Sequence, residues 1–136
     1  MIFVDTSAWI ALINQRDQYH RDAVAVFEGL QQQEIRLLTT DYVIDETVTR
    51  LRYDTNHTLA VEFLNRIELL EETEILTIAE IDKNIFEQAK ALFRQYDSVQ
   101  LSFTDCTSFV ICRANHIFEA FAFDHHFQIM GIDLRV

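Results

Sequence analysis

Proline is absent from this sequence, and glycine occurs only twice among its 136 residues. Linkers between domains are usually rich in these residues or in serine, so we expect one domain over residues 1–136. Two glycines also cannot build the glycine-rich loops with which many proteins bind nucleotides. The sequence therefore excludes two common ways of holding a phosphate group, the Walker loop and the dinucleotide-binding loop.

Cysteine and long apolar runs are scarce as well. Cys106 and Cys112 are the only cysteines, and their spacing fits neither a zinc site nor a redox Cys-x-x-Cys motif. We expect them to be buried thiols in a reducing compartment. No apolar run approaches the roughly 18 residues that cross a bilayer, and Asp5 interrupts the N-terminal run before it could act as a signal peptide. These absences predict a cytoplasmic protein without a membrane segment.

Positive charge is the third shortage. The sequence has 11 lysines and arginines against 22 aspartates and glutamates, which gives a formal net charge of −11. This balance excludes a protein that binds nucleic acid through a broad basic face. It is compatible with an enzyme that holds phosphate through a metal ion and a few local arginines. It also favours a basic protein partner, through electrostatic complementarity.

The hydrophobic pattern predicts strands that alternate with helices or helix pairs. This alternation is typical of a mostly parallel sheet with helices on both faces, a three-layer α/β/α sandwich. The predicted strands cover residues 2–5, 35–39, 75–78, 119–123 and 132–136. The predicted helices cover residues 6–13, 20–32, 40–53, 56–70, 82–93 and 102–114.

Four carboxylates occupy special places in this pattern. Asp5 and Asp124 each close a short apolar strand, and Glu46 and Asp105 lie in the N-terminal halves of predicted helices. Ligands in such folds bind beyond the C-terminal ends of the strands, so all four side chains can converge at one edge. Two carboxylates about 4 Å apart repel by about 4 kcal/mol at an effective dielectric constant near 20. A divalent cation with oxygen ligands, Mg²⁺ or Mn²⁺, would relieve this repulsion.

Each acid also has a purely structural explanation. Asp5 can cap the helix that follows it, and Asp124 can stabilise a turn. Asp105 stands three residues after Ser102, the spacing of a capping box. Glu46 stands four residues before an arginine, the spacing of a surface ion pair. We favour a shared site because all four acids project toward the same predicted sheet edge.

Other titratable residues near these acids are weaker candidates. Asp45, next to Glu46, points about 100° away along the predicted helix and is a lesser candidate. His125 and His126 follow Asp124 directly. Adjacent residues in a turn usually point apart, and no third histidine or cysteine has a spacing suited to zinc. We therefore expect no zinc site at this position.

The chain resembles the PIN-domain nucleases in four blocks that follow the family's order. These are Ile-Phe-Val-Asp-Thr-Ser-Ala at residues 2–8, Thr-Thr-Asp-Tyr-Val-Ile-Asp-Glu-Thr at 39–47, Leu-Ser-Phe-Thr-Asp-Cys at 101–106 and Phe-Ala-Phe-Asp-His-His-Phe at 121–127. The resemblance implies a PIN-like sandwich and an Mg²⁺- or Mn²⁺-dependent endoribonuclease. It implies that Asp5, Glu46, Asp105 and Asp124 are the catalytic and metal-binding acids, with one metal ion or two, and that the Ser7 hydroxyl supports them.

The length of the chain is similar to that of the stand-alone VapC-type toxins. That resemblance implies an RNA substrate, a small antitoxin protein as partner and a homodimer. Ala122 stands where the family usually has threonine, and together with the acidic surface it motivates a second hypothesis, a weak or inactive PIN-like module that binds a protein. A phosphotransfer domain with an acidic Mg²⁺ site is a third. Against it, the first strand lacks an Asp-x-Asp motif, and residues 121–130 lack the lysine of response-regulator receivers.

Overall fold

A computed structural model describes residues 1–136, the whole of the sequence. The strands are β1 (Ile2–Val4), β2 (Leu37–Thr40), β3 (Leu76–Ala79), β4 (Glu119–Phe121) and β5 (Asp133–Leu134). The helices are α1 (Thr6–Ile13), α2 (His20–Gln32), α3 (Asp41–Asp54), α4 (His57–Glu72), α5 (Lys83–Gln95), α6 (Phe103–Ala114) and α7 (His126–Ile129). The strands form one sheet in the order β3-β2-β1-β4-β5, and all neighbouring pairs are parallel. Helices flank this sheet, which confirms the predicted α/β fold.

The central strands β1 and β2 are buried along their whole length. Leu37 of β2 pairs with Ile2 of β1. Continuous burial is expected where helices cover both faces of a parallel sheet. On the other side of β1, Val4 pairs with Phe121 of β4, so the first strand lies in the middle of the sheet. The C-terminal ends of β1 and β4 therefore lie side by side at the switch point of the sheet, where ligands bind in such folds.

Four helices begin at predicted capping residues. In each case a side-chain oxygen accepts the backbone N–H of the third residue that follows, which satisfies one of the free donors of the helix. The pairs are Thr40 with Val43, Asn56 with Leu59, Asp82 with Ile85 and Ser102 with Asp105. These caps fix the starts of the two helices, α3 and α6, that carry Glu46 and Asp105.

The last two strands are shorter than predicted. β4 ends at Phe121 rather than at residue 123, because the N–H of Phe123 donates to the Ser7 hydroxyl at 2.9 Å instead of to a strand. β5 covers Asp133–Leu134 only, a part of the predicted 132–136. Between them lies the four-residue helix α7, where the pattern predicts no helix.

A buried polar link joins β1, β2 and α1. The Thr39 hydroxyl donates to the Val4 carbonyl at 2.9 Å, and the Trp9 indole N–H donates to the Thr39 oxygen at 3.3 Å. All three residues are buried. Without these hydrogen bonds, each buried polar group would cost about 1–3 kcal/mol. Because Val4 directly precedes Asp5, the link holds the peptide from which Asp5 projects.

Both cysteines are buried and unpaired, as predicted. Burial, with a smaller contribution from the charge of Asp5, raises the pKa of the Cys112 thiol to about 12. A thiol with such a pKa stays protonated at neutral pH, so Cys112 behaves as an apolar core residue. None of the helices combines the length and the apolar character needed to cross a membrane.

Candidate active site

Two of the four acids follow adjacent strands. Asp5 comes directly after β1, and Asp124 comes shortly after β4. The Asp5 N–H donates to the Phe121 carbonyl at 3.1 Å, which ties the two strand ends together. The Ser7 hydroxyl adds a second tie, because it accepts the Phe123 N–H at 2.9 Å. The fold therefore brings both strand ends to one edge of the sheet.

Asp105 starts helix α6 through the predicted capping box. Its Oδ2 accepts the Ser102 N–H at 3.1 Å, and the Ser102 hydroxyl accepts the Asp105 N–H at 2.9 Å. The structural explanation of Asp105 is thus correct. It is incomplete, because the same Oδ2 also faces a residue from another element, His126.

Asp105, Asp124 and His126 form a group that we call the Asp–His cluster. One potential ligand atom from each residue lies within 4.8 Å of the others. His126 Nδ1 lies 3.2 Å from Asp105 Oδ2 and 3.1 Å from Asp124 Oδ1. The same Asp124 oxygen accepts the His126 N–H at 2.9 Å, which confirms the predicted turn. The imidazole therefore stands between two carboxylates that come from different parts of the chain.

Asp5 is the most deeply buried of the four acids, with only 4% of its surface exposed. Burial, followed by the negative charge of Asp105, raises the pKa of Asp5 from 3.8 to about 7, and the charges of Glu46 and Asp124 also raise it. The structural explanation of Asp5 is wrong, because its side chain makes no capping hydrogen bond to α1. The Ser7 hydroxyl lies 3.5 Å from Asp5 Oδ2 and is directed toward it.

Glu46 reaches the site from helix α3. It is half-buried, whereas the neighbouring Asp45 is exposed. The expected surface ion pair between Glu46 and Arg50 does not form. Asp5 and Glu46 lie outside the Asp–His cluster, but the charge of Glu46 acts on Asp5. The structure therefore brings Asp105 and Asp124 into close contact through His126, and Asp5 and Glu46 into electrostatic reach.

No lysine or arginine compensates the charge of these acids. The salt bridges to lysine and arginine lie elsewhere, at Glu62–Arg66, Glu87–Lys90 and Glu119–Arg135. Burial raises the pKa of Asp105 and the charge of Asp124 contributes, while hydrogen bonds from the Ser102 backbone and His126 lower it. Several carboxylates gathered with no lysine or arginine among them, and with His126 as their only basic neighbour, destabilise one another. Their oxygens are the donors that hard divalent cations prefer, so the residues fit Mg²⁺ or Mn²⁺.

His126 is the residue that the sequence pattern misses. The expectation that the two histidines point apart is correct, since His125 is exposed and its Nδ1 lies 3.3 Å from Gln128 Oε1. His126, however, points back toward the acids. The spacing Asp124-x-His126 is a partial signal, because an aspartate that accepts the backbone N–H two residues on brings that residue close to its carboxylate.

Comparisons with known proteins concern nearly the whole chain. Residues 2–132 match the PIN domain family. The chain is 31% identical over 131 residues to the 23S rRNA-specific endonuclease VapC20 of Mycobacterium tuberculosis, in strains CDC 1551 and H37Rv, with 96% of this chain and 95% of each relative covered. The crystal structure of Mycobacterium tuberculosis VapC20, described as a sarcin–ricin loop cleaving toxin, has a TM-score of 0.83 at 30% identity. That likeness covers 97% of this chain and 96% of the VapC20 chain.

Proposed function

The chain belongs to the PIN-domain family, and from this we propose that it is a metal-dependent endoribonuclease, the toxin of a toxin–antitoxin pair. The observation that carries the proposal is the meeting of Asp105, Asp124 and His126 beside the buried Asp5. The relative VapC20 is an endonuclease specific for 23S rRNA, and its structure is described as that of a toxin. Because the likeness covers nearly all of both chains, we propose one nuclease unit over residues 1–136.

We propose that Asp5, Glu46, Asp105 and Asp124 hold Mg²⁺ or Mn²⁺. Asp5 and Asp105 would hold the first ion, and Glu46 and Asp124 would complete its surroundings or hold a second. The support is that Asp5 and Asp124 follow the two strands at the switch point, and that the charges of Asp105, Glu46 and Asp124 all act on Asp5. In addition, no lysine or arginine is paired with any of the four acids. When bound, the cation lowers the pKa of water and offsets negative charge on the phosphate.

The residues of the chain supply position and proton transfer. Glu46, half-buried at the rim of the site, would orient the attacking water and accept its proton. No side-chain nucleophile is needed, because water attacks phosphorus and the leaving oxygen departs on the opposite side. The Ser7 hydroxyl supports the site by holding the Phe123 backbone at 2.9 Å. Ala122, where the family usually has threonine, is buried and directly precedes Phe123. The hydrogen bond from Phe123 to Ser7 anchors the strand end even without the threonine hydroxyl.

RNA cleavage with and without metal tests the proposal directly. The substrate is an RNA hairpin with the sequence of the sarcin–ricin loop, together with an unrelated RNA hairpin. We expect cleavage in Mn²⁺ or Mg²⁺ and loss of cleavage when EDTA is added, with recovery on adding excess Mn²⁺. Cleavage that persists in EDTA would rule out the metal-dependent mechanism. No cleavage of either RNA in Mn²⁺ would favour the second hypothesis, a protein-binding module.

His126 provides a prediction with a matched control. His126→Ala removes the imidazole that orients two proposed ligands, so we expect Mn²⁺ affinity, measured by calorimetry, to fall by about 10- to 100-fold. His125→Ala removes the exposed neighbour and should leave the affinity unchanged. Equal Mn²⁺ affinities for His126→Ala and the wild type would show that the imidazole does not organise the site.

For partners and location, we propose a homodimer, a small antitoxin and a cytoplasmic setting. The VapC-type resemblance supports the homodimer and the antitoxin, and the two buried, unpaired cysteines support the cytoplasmic setting. An apolar cleft of about 420 Å³ between α1, α2 and α4 supports the antitoxin, because its lining includes Phe27, Phe63 and Leu70. Such a cleft suits the apolar side of a short protein segment. The net charge of −11 favours a segment that is also basic.

A further inference from the structure

An open cavity of about 510 Å³ borders the candidate active site. Its lining includes Ser7, Asp124 and His126 from the site, together with Tyr19 and Phe123. Cavities that bind small molecules usually measure roughly 300–1,000 Å³, so this one has room for part of a nucleotide chain. A ligand bound in this cavity therefore lies directly beside the Asp–His cluster.

Tyr19 and Phe123 stack face to face in the lining of this cavity. Their ring centroids are 4.6 Å apart, and their planes differ by only 4°. Tyr19 precedes α2 and Phe123 follows β4, so the stack joins distant parts of the sequence. Tyr19 is 39% exposed, whereas Phe123 is half-buried. Phe123 therefore supports a tyrosine ring that remains open to a ligand.

The start of helix α2 does not explain a tyrosine at position 19. Tyr19 is the N-cap residue, a place where serine, threonine, aspartate or asparagine usually accepts a helix N–H, and it makes no such bond. Its own N–H donates to Asp17 Oδ1 at 2.9 Å, which fixes its backbone. The ring is thus held in place from the backbone side and from the Phe123 side, without serving the helix.

Arg50 is the only lysine or arginine that lines the cavity. It lies on α3, is exposed and forms no salt bridge. Its guanidinium is therefore free to bind a phosphate. Arg50 and the proposed metal ion give few charged contacts to RNA in a chain with a net charge of −11, so contacts that do not depend on charge would add needed affinity. Stacking of bases on aromatic rings is such a contact.

We propose that Tyr19, supported by Phe123, stacks on an unpaired RNA base while Arg50 contacts a neighbouring phosphate. This inference rests on the proposed function. The ligand class is single-stranded or looped RNA, because a base within a duplex cannot offer its face. Every base has such a face, so this contact adds affinity with little preference for sequence. It positions the strand beside the acids that would act on it.

The test uses a short single-stranded RNA that carries 2-aminopurine, whose fluorescence is quenched when it stacks. All proteins carry Asp5→Asn, and binding is measured in EDTA, so that the RNA stays intact. We expect Tyr19→Ala to raise Kd about tenfold and to abolish the quenching. Tyr19→Phe should keep both, because the ring and not the hydroxyl stacks. Tyr53→Ala, which removes a tyrosine that is 81% exposed and outside the cavity, should have no effect.

A second measurement covers the active chain. In the absence of Asp5→Asn, Tyr19→Ala should raise the KM for RNA cleavage about tenfold with little change in kcat. If Tyr19→Ala binds and quenches like its parent, or if Tyr19→Phe loses binding, the stacking inference is overturned while the nuclease proposal stands. If the wild type never cleaves RNA, the nuclease proposal falls, and the quenching result still decides whether Tyr19 stacks on bases.

Discussion

Asp5→Asn is expected to abolish RNA cleavage and to stabilise the metal-free protein at the same time. Losing a proposed metal ligand removes charge stabilisation of several kcal/mol, and about 4 kcal/mol corresponds to a thousandfold fall in rate. Asparagine has nearly the same shape but carries no charge. The variant therefore avoids the unfavourable ionisation of a carboxylate that is only 4% exposed and lies near the charge of Asp105.

The stabilisation should depend on pH in a defined direction. The folded-state pKa of Asp5, about 7, lies above its ordinary value of 3.8. The unfolded chain therefore releases this proton first, and the wild type loses stability as pH rises from about 4 to 7. A shift of about three pH units corresponds to roughly 4 kcal/mol. In thermal unfolding in EDTA, the difference in stability between Asp5→Asn and the wild type should grow across this range and reach a plateau above pH 7.

A neighbouring carboxylate supplies the control. Asp45→Asn removes one negative charge from the exposed side of helix α3 and should change neither cleavage nor the pH dependence of stability. A fall in activity together with a rise in stability cannot be explained by misfolding. If Asp5→Asn cleaves RNA like the wild type, the proposed role of Asp5 is wrong.

Metal binding is expected to stabilise the protein strongly above pH 7 and hardly at all near pH 5. At a Mn²⁺ concentration 100 times Kd, binding adds about 2.7 kcal/mol to the free energy of unfolding. For a chain of this length that corresponds to a rise in Tm of about 10 °C. Burial raises the pKa of both Asp5 and Asp105, so at low pH the ion must displace protons from them.

Thermal melts in Mn²⁺ and in EDTA at pH 5, 6, 7 and 8 measure this effect. The difference in Tm between the two solutions should grow with pH, and it should be much smaller in Asp5→Asn at every pH. Calorimetry in buffers of different ionisation enthalpy should report proton release on binding near pH 6. An equal stabilisation at pH 5 and pH 8 would show that neither buried acid is a ligand.

The fold was predictable wherever local chemistry decides the structure. The buried run of β1 and the capping residues Thr40 and Ser102 are visible in short stretches of sequence, and each is found where predicted. The end of β4 was not predictable in this way. It is set by a hydrogen bond between Phe123 and Ser7, whose partners lie at opposite ends of the chain.

In the candidate site, too, some residues were predictable from the sequence and others were not, because their positions depend on contacts between distant parts of the chain. The rule that ligands bind beyond strand ends suffices to select Asp5 and Asp124, because it depends only on fold class. The position of His126 depends on a turn closed by Asp124 and on Asp105 from another helix. The spacing of Glu46 and Arg50 suggests an ion pair that does not form, since helical spacing alone cannot tell a surface pair from a side chain turned inward.

The central position of β1 has a consequence for synthesis of the protein. β1 is translated before β4, yet β4, which begins at Glu119, is one of its two neighbours in the sheet. Until β4 is translated, one edge of β1 has no neighbouring strand, and Asp124 and His126 have not yet been synthesised. A nascent chain therefore cannot assemble the candidate site until β4 and the turn that follows it have been translated.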